Sequence, residues 1–154
     1  MYKHLLVAVD GSHTSENALD HAIGLALGEN AELTLVNVAN PTEYMALAPE
    51  FLQHESYEAA ALSEGNNVLD EAMKKATASL PVDRVHRHLL VASKGVKEMA
   101  QMLVDYADKQ KTDIIILGTH GRSGLMHLLM GSFAETVMRE TNLPLLIIRS
   151  ESEA

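Results

Sequence analysis

The chain has 154 residues, of which 47% are hydrophobic, and it contains no cysteine. The lack of cysteine excludes a disulfide framework, a thiolate metal site and a cysteine nucleophile. A formal charge of −9 opposes general nucleic-acid binding, because the surface on average repels phosphate backbones. Apolar runs are all shorter than a membrane span, which needs about eighteen residues. These features predict a cytoplasmic protein without membrane insertion, with one domain over residues 1–150 and a polar tail at 151–154.

Apolar runs of strand length alternate with stripes of helical period along the chain. The predicted strands cover residues 3–9, 32–38, 84–92, 113–117 and 143–149. The predicted helices run from the candidate N-caps Ser12 and Thr14 to a stop at Gly28, from Leu62 to Leu80 before Pro81, from Val96 to Ala107, and over 133–141. Residues 39–54 contain two prolines and no clean period, and are predicted to form a long loop.

Five strands alternating with helices predict an α/β fold, in which helices cover both faces of a parallel sheet. Ligands of such sheets bind beyond the carboxyl ends of the strands, where the strand order reverses. Two candidate stretches follow strands: Asp10-Gly11-Ser12 after the first, and residues 118–132 after the fourth. If these two strands are neighbours, the stretches face each other across one crevice.

The second stretch reads GTHGRSGLMHLLMGS, with four glycines in fifteen residues. Gly118 and Gly121 allow close approach of the backbone to an anion, and Arg122 adds a fixed positive charge. At its far end, Ser132 and Glu135 match a capping box, which predicts that Gly131-Ser132 opens a helix.

Phosphate groups bind well at helix N-termini, because the N–H groups are free and the dipole is positive there. Two anion sites, one in each half of the stretch, would suit a polyphosphate chain. The alternative is that the glycines only make turns and that Ser132 is only a cap. Neither a Walker A sequence nor a GxGxxG pattern is present.

The pattern G-x2-G-x9-G-S, formed by Gly118, Gly121, Gly131 and Ser132, resembles the ATP-binding signature of the universal stress protein family. The opening LLVAVDGS, the segment GSFAETVMRE and the closing LPLLIIR also resemble that family in order and spacing. The resemblance covers nearly the whole chain. It departs after the third strand, where Ser93-Lys94-Gly95 replaces the Gly-Asp-Pro-like turn that many members have.

The resemblance implies a five-stranded parallel sheet of order 3-2-1-4-5 and an ATP-binding protein in which the nucleotide acts as a regulatory ligand of the stress response. Asp10 would lie near ribose, phosphate or a bound Mg²⁺, and Val38 would meet adenine through its backbone. One group of residues would hold ribose and the inner phosphates: Gly118, Gly121 and Arg122. A second group would hold the outer phosphates: Gly131, Ser132 and Phe133.

Several alternatives accompany this interpretation. The protein could be a slow ATPase or autokinase, or an interaction module without nucleotide. Asp10 could be a phospho-acceptor, although the acidic pair of receiver domains is missing. His86 and His88 share one face of a strand and invite a metal hypothesis, but the sequence shows no third ligand. His120 and His127 are candidates for contact with the nucleotide, whereas loop histidines are commonly solvated.

Two further expectations concern assembly and motion. The order 3-2-1-4-5 places residues 143–149 at a sheet edge that carries no charge before Arg149. Exposed apolar edges are normally covered, so we predict a homodimer through this strand, as the resemblance also implies. The resemblance leaves open whether dimers assemble further. The predicted loop at 39–54 follows the second strand and is expected to close near the adenine when ATP binds.

Overall fold

The alternating pattern folds into a parallel sheet between two layers of helices. The structure is a computed structural model that describes residues 1–43, 54–120 and 131–149. The strands are β1 (His4–Ala8), β2 (Glu32–Ala39), β3 (Val85–Val91), β4 (Ile114–Gly118) and β5 (Leu145–Ile148). The helices are α1 (His13–Glu29), α2 (His54–Thr77), α3 (Val96–Lys109) and α4 (Ser132–Glu140), with a 3-10 turn at Val82–Arg84. The strand order is β3-β2-β1-β4-β5, which confirms the predicted fold class.

Helix α1 begins as predicted and ends later than predicted. The Oγ of Ser12 accepts a hydrogen bond from the Ser15 N–H at 3.2 Å and caps the first turn. The predicted stop at Gly28 is wrong, because the helix continues through Glu29 to a C-cap at Asn30. Asn30 adopts a left-handed conformation with φ 57°, which asparagine tolerates better than most residues.

Helix α2 begins well before the predicted start at Leu62. It starts at His54, so the predicted loop at 39–54 is shorter than expected. Tyr57 and Ala61 are one helical turn apart and both are buried. Their burial holds the turns that precede Leu62 against the core. The sequence signal was weak there because alanines supply most of the apolar stripe. The predicted closure of the loop over adenine falls mainly on residues 44–53, which lie outside the described residues.

Alternate residues of the strands supply two separate cores. Leu5 and Val7 of β1 face the layer formed by α1 and α2, whereas Leu6 faces the layer formed by α3 and α4. This alternation follows from the two-residue period of a strand. Within the described ranges, none of the helices is long and apolar enough to cross a membrane.

Gly65 marks the closest approach of α2 to the sheet. A Cβ at this position would lie 2.6 Å from Leu89 Cδ1 and 2.7 Å from Asn37 Oδ1. Both distances are shorter than real Cβ contacts, so a larger residue would require Leu89 and Asn37 to move or the helix to shift away from the sheet. Gly24 of α1 is a matched contrast, because it is exposed and a Cβ there would meet nothing within 4 Å.

We expect opposite effects from adding the same methyl group at these two helical glycines. Gly65→Ala should destabilise the protein by about 1–3 kcal/mol, since it overpacks the interface between helix and sheet. Gly24→Ala should stabilise it by about 0.5–1 kcal/mol through helix propensity alone. Urea unfolding of the two variants measures both effects. Equal stabilisation of both variants would mean that α2 can move away from the sheet freely.

Candidate functional site

The carboxyl ends of β1 and β4 form the centre of the candidate site. Strand β1 pairs with β2 on one side and with β4 on the other, and Val7 lies opposite Ile116. From β1 the chain adds β2 and β3 towards one edge of the sheet, and it then returns to add β4 and β5 on the other side of β1. The turn at residues 10–12 and the described ends of the second stretch, residues 118–120 and 131–132, follow or adjoin these neighbouring strands. They therefore lie at the switch point, where such sheets bind ligands.

The turn after β1 is held by its own side chains. The Oδ1 of Asp10 accepts a hydrogen bond from the Ser12 N–H at 2.9 Å, and the Asp10 N–H donates to Ser15 Oγ at 3.1 Å. Gly11 between them has φ 84°, a left-handed conformation that favours glycine. Asp10 is half-buried at the end of the sheet, and its carboxylate lies in a turn held by these two hydrogen bonds.

Gly118 ends β4 and packs directly against the first turn of α1. A Cβ at Gly118 would lie 2.5 Å from Thr14 Cγ2 and 3.2 Å from the Thr14 carbonyl oxygen. Thr14 is itself buried. The structure therefore gives this glycine a packing role that is independent of any ligand, a role the sequence did not reveal because Thr14 is far away in the chain.

Gly131 joins the two ends of the glycine-rich stretch through a backbone hydrogen bond. Its N–H donates to the Thr119 carbonyl oxygen at 2.6 Å. A Cβ at Gly131 would lie 3.0 Å from that oxygen and 3.5 Å from His120 Cα. The start of α4 is thus tied to the end of β4, and a larger residue at this position would force the two apart.

The start of α4 corrects the predicted capping box. Gly131 is the N-cap and Ser132 is the first helical residue, and no described side chain accepts a hydrogen bond from the first turn. The carboxylate of Glu135 instead accepts a hydrogen bond from Arg139 Nη2 at 2.5 Å. The capping box was wrong because a glycine N-cap moves Ser132 one position into the helix. The amide groups of the first turn are consequently left without a side-chain acceptor within the described part of the chain, and they carry the positive end of the helix dipole.

Val38 and Phe133 can serve a ligand mainly through their backbones. Both side chains are half-buried and pack against the core beneath α3 and α4. Val38 lies near the carboxyl end of β2, the strand next to β1, as the interpretation of an adenine contact requires. Gly121, Arg122 and His127 lie outside the described residues.

Two asparagines at the end of β2 were missed from the sequence. Asn37 is buried and its Nδ2 donates to the Val9 carbonyl oxygen at 2.8 Å, which fixes the end of β2 to the end of β1. Asn40 Nδ2 donates to the Lys94 carbonyl oxygen at 2.9 Å and holds the exit of the same strand. The sequence offered one signal that could have identified Asn37, namely an asparagine inside an otherwise apolar strand. A buried amide needs hydrogen-bond partners, and only the tertiary structure shows which groups these are.

The histidines of β3 have separate partners. His86 Nε2 lies 3.1 Å from Glu32 Oε1, and the ring of His88 stacks on Tyr106 with centroids 4.3 Å apart. His4 Nδ1 contacts the other oxygen of Glu32 at 3.2 Å. The hydrogen bond from His86 holds the pKa of Glu32 below its ordinary value. Among the residues that the structure describes, no three histidine, cysteine or acidic side chains form a group that could hold a metal ion.

Known proteins are similar to this chain in sequence and in fold over almost its full length. Residues 1–149 match the model of the universal stress protein family. A universal stress protein of Methanocaldococcus jannaschii, MJ0531, is 32% identical over 97% of this chain and 83% of its own.

Two solved structures extend the comparison to three dimensions. The hypothetical protein MJ0577 superposes with a TM-score of 0.82 at 27% identity and covers 99% of each chain. A universal stress protein solved in complex with cAMP gives a TM-score of 0.65 at 25% identity and covers 96% of this chain and 97% of its own.

Proposed function

Because the chain belongs to the universal stress protein family, we propose that it binds ATP, with Mg²⁺, in the crevice between the carboxyl ends of β1 and β4. The nucleotide acts as a regulatory ligand in the stress response rather than as a substrate for rapid turnover. A relative of the same fold has been solved with an adenine nucleotide, cAMP, which supports this ligand class. A cytoplasmic location completes the proposal and stays a prediction.

One observation carries the proposal: α4 begins at the crevice, and no side chain among the described residues caps its first turn. Its N-cap, Gly131, is hydrogen-bonded to the end of β4, so the first amide groups of the helix lie beside the switch point of the sheet. Such groups attract phosphate through both hydrogen bonding and the helix dipole. Asp10, in the hydrogen-bonded turn after the neighbouring strand β1, would meet ribose or a magnesium ion that accompanies the phosphates.

The proposal is tested by identifying the nucleotide that the protein carries. Protein purified without added nucleotide is denatured, and the released small molecules are separated and weighed by mass spectrometry. Calorimetric titration of the emptied protein with ATP and Mg²⁺ then measures the affinity. We expect an adenine nucleotide at a substantial fraction of one per chain. Protein that carries none and gives no heat with ATP or AMP would overturn the proposal.

We further propose that β5 forms a homodimer interface. The four residues of β5 are half-buried and apolar, and β5 pairs with β4 alone in the described part of the sheet. Ile147 is absent from both described cores, whereas Leu145, Leu146 and Ile148 pack into them. An apolar strand at an unpaired edge is a site where another chain can add.

Ile147→Lys should convert the dimer to monomer while the fold is kept, because a lysine at the edge opposes strand pairing. Leu27→Lys is the matched control, since Leu27 is an exposed apolar residue on α1 and should leave assembly unchanged. Light scattering at micromolar concentration measures the mass of each variant. A wild-type monomer, or a dimer that survives Ile147→Lys, would contradict this interface.

A further inference from the structure

His120, two residues after β4, carries a buried ring nitrogen that has no hydrogen-bond partner in the described ranges. Its Nδ1 lies 3.1 Å from the Thr119 hydroxyl oxygen. Its Nε2 is buried and has no hydrogen-bond partner among the residues that the structure describes. Buried polar atoms are nearly always hydrogen-bonded, so such an exception needs a reason. A ligand that supplies the missing partner is one such reason.

The ring edge that carries this nitrogen faces the start of α4. A Cβ at Gly131 would lie 3.8 Å from His120 Cδ2, the carbon bonded to Nε2. Gly131 is the N-cap of α4, a nine-residue helix whose first turn has no side-chain cap in the described part of the chain. The ring edge of His120 and the start of α4 are therefore neighbours, and Nε2 and the first amide groups of the helix are both donors when Nε2 carries the ring proton.

The contact with Thr119 is compatible with that tautomer. When the Thr119 hydroxyl donates to Nδ1, the ring proton resides on Nε2, which then points a donor away from Thr119. An anionic oxygen is the acceptor that best complements a buried N–H beside a helix N-terminus.

We propose that His120 Nε2 donates a hydrogen bond to an outer phosphate oxygen of the bound nucleotide, and that it thereby favours ATP over AMP. This inference rests on the proposed function, and it adds a side-chain donor beside the backbone amides at the start of α4. In this proposal a monophosphate occupies the inner phosphate position and makes no contact with His120, so AMP gains nothing from this residue.

Three substitutions at His120 separate the hydrogen bond from the shape of the side chain. His120→Gln places an amide N–H near the position of Nε2, whereas His120→Asn places one near Nδ1. His120→Phe keeps a ring and removes both nitrogens. Calorimetry with ATP and with AMP measures the affinity of each variant in the presence of Mg²⁺.

We expect His120→Phe and His120→Asn to lose about tenfold or more in affinity for ATP, while His120→Gln retains most of it. Affinity for AMP should change less than threefold in all three. Without nucleotide, His120→Phe should melt at the same temperature as wild type or higher, because it removes an unpaired buried polar atom. A purely structural histidine would instead lower both the melting temperature and the affinities for ATP and AMP together.

The outcomes distinguish this inference from the proposed function. Wild-type protein that binds neither nucleotide overturns the proposed function and the inference with it. Wild-type protein that binds ATP, with an unchanged affinity in His120→Phe, overturns the inference alone. If His120→Phe does not fold, equal ATP affinities of His120→Gln and His120→Asn overturn it, since the two amides differ only in reach.

Discussion

ATP should bind this protein more tightly than AMP, and a negative charge at Ser132 should remove most of the difference. Ser132 is exposed at the first helical position of α4, where the outer phosphates are expected. Ser132→Asp should weaken ATP binding at least tenfold, about 1.4 kcal/mol, because two like charges would meet at close range. The same change should stabilise the empty protein by about 0.3–1 kcal/mol, since an acidic residue suits a helix N-terminus.

The control for this prediction is Ser132→Ala. Ser132 is not the cap, so its loss should change stability by less than about 0.5 kcal/mol and leave the backbone amides in place. Calorimetry with both nucleotides and thermal unfolding without them are measured on each variant. Equal affinities of the wild type for ATP and AMP, or full ATP affinity in Ser132→Asp, would show that the start of α4 holds no phosphate.

Gly131 is a less informative position for this test. Its N–H is bonded to the Thr119 carbonyl oxygen, and a Cβ would lie 3.0 Å from that oxygen. A bulky residue would thus displace α4 from β4 even in the absence of nucleotide. Loss of ATP binding in such a variant would follow equally from a lost phosphate site and from a distorted one.

Gly118→Ala should destabilise the protein by about 2 kcal/mol, whether or not a ligand is bound. The added methyl would lie 2.5 Å from Thr14 Cγ2, so α1 must move away from β4 or Thr14 must change rotamer. For a chain of this length, the melting temperature should fall by about 4–8 °C. Urea unfolding gives the change in free energy directly.

A double-mutant cycle identifies the cause of that loss. Thr14→Ser removes the methyl group that the new Cβ would meet, while it keeps the hydroxyl group and the helical backbone. Gly118→Ala should therefore cost about 1 kcal/mol less in the Thr14→Ser background than in the wild type. Strictly additive effects would mean that this glycine is needed for a reason other than its contact with Thr14.

Local patterns in the sequence were sufficient for the type and order of the strands and helices and for the fold class, but not for every boundary. The apolar run at 113–117 and the helical stripe from Val96 to Ala107 predicted β4 and α3, because burial of one face repeats every two or 3.6 residues. The N-cap Ser12 was equally readable, since its partner is only three residues away. The strand order came from the resemblance to a known family, and the pairing of β1 with β4 confirms it.

The glycines show what the sequence could not determine. A glycine is compatible with a turn, a close contact or a phosphate nest, and the neighbour that decides between them is distant in the chain. Gly118 meets Thr14, Gly65 meets Asn37 and Leu89, and Gly131 meets Thr119.

The sequence by itself determined that this is a parallel sheet covered by helices on both faces, with a glycine-rich stretch after its fourth strand. Only the tertiary structure decided that Gly131 rather than Ser132 caps α4 and that Asn30 rather than Gly28 ends α1. It also decided that His120 Nε2 is buried there without a partner among the described residues. The physical reason is the same in each case. Caps, close contacts and burial depend on which atoms a fold brings within a few ångströms, whereas periodicity depends only on neighbours along the chain.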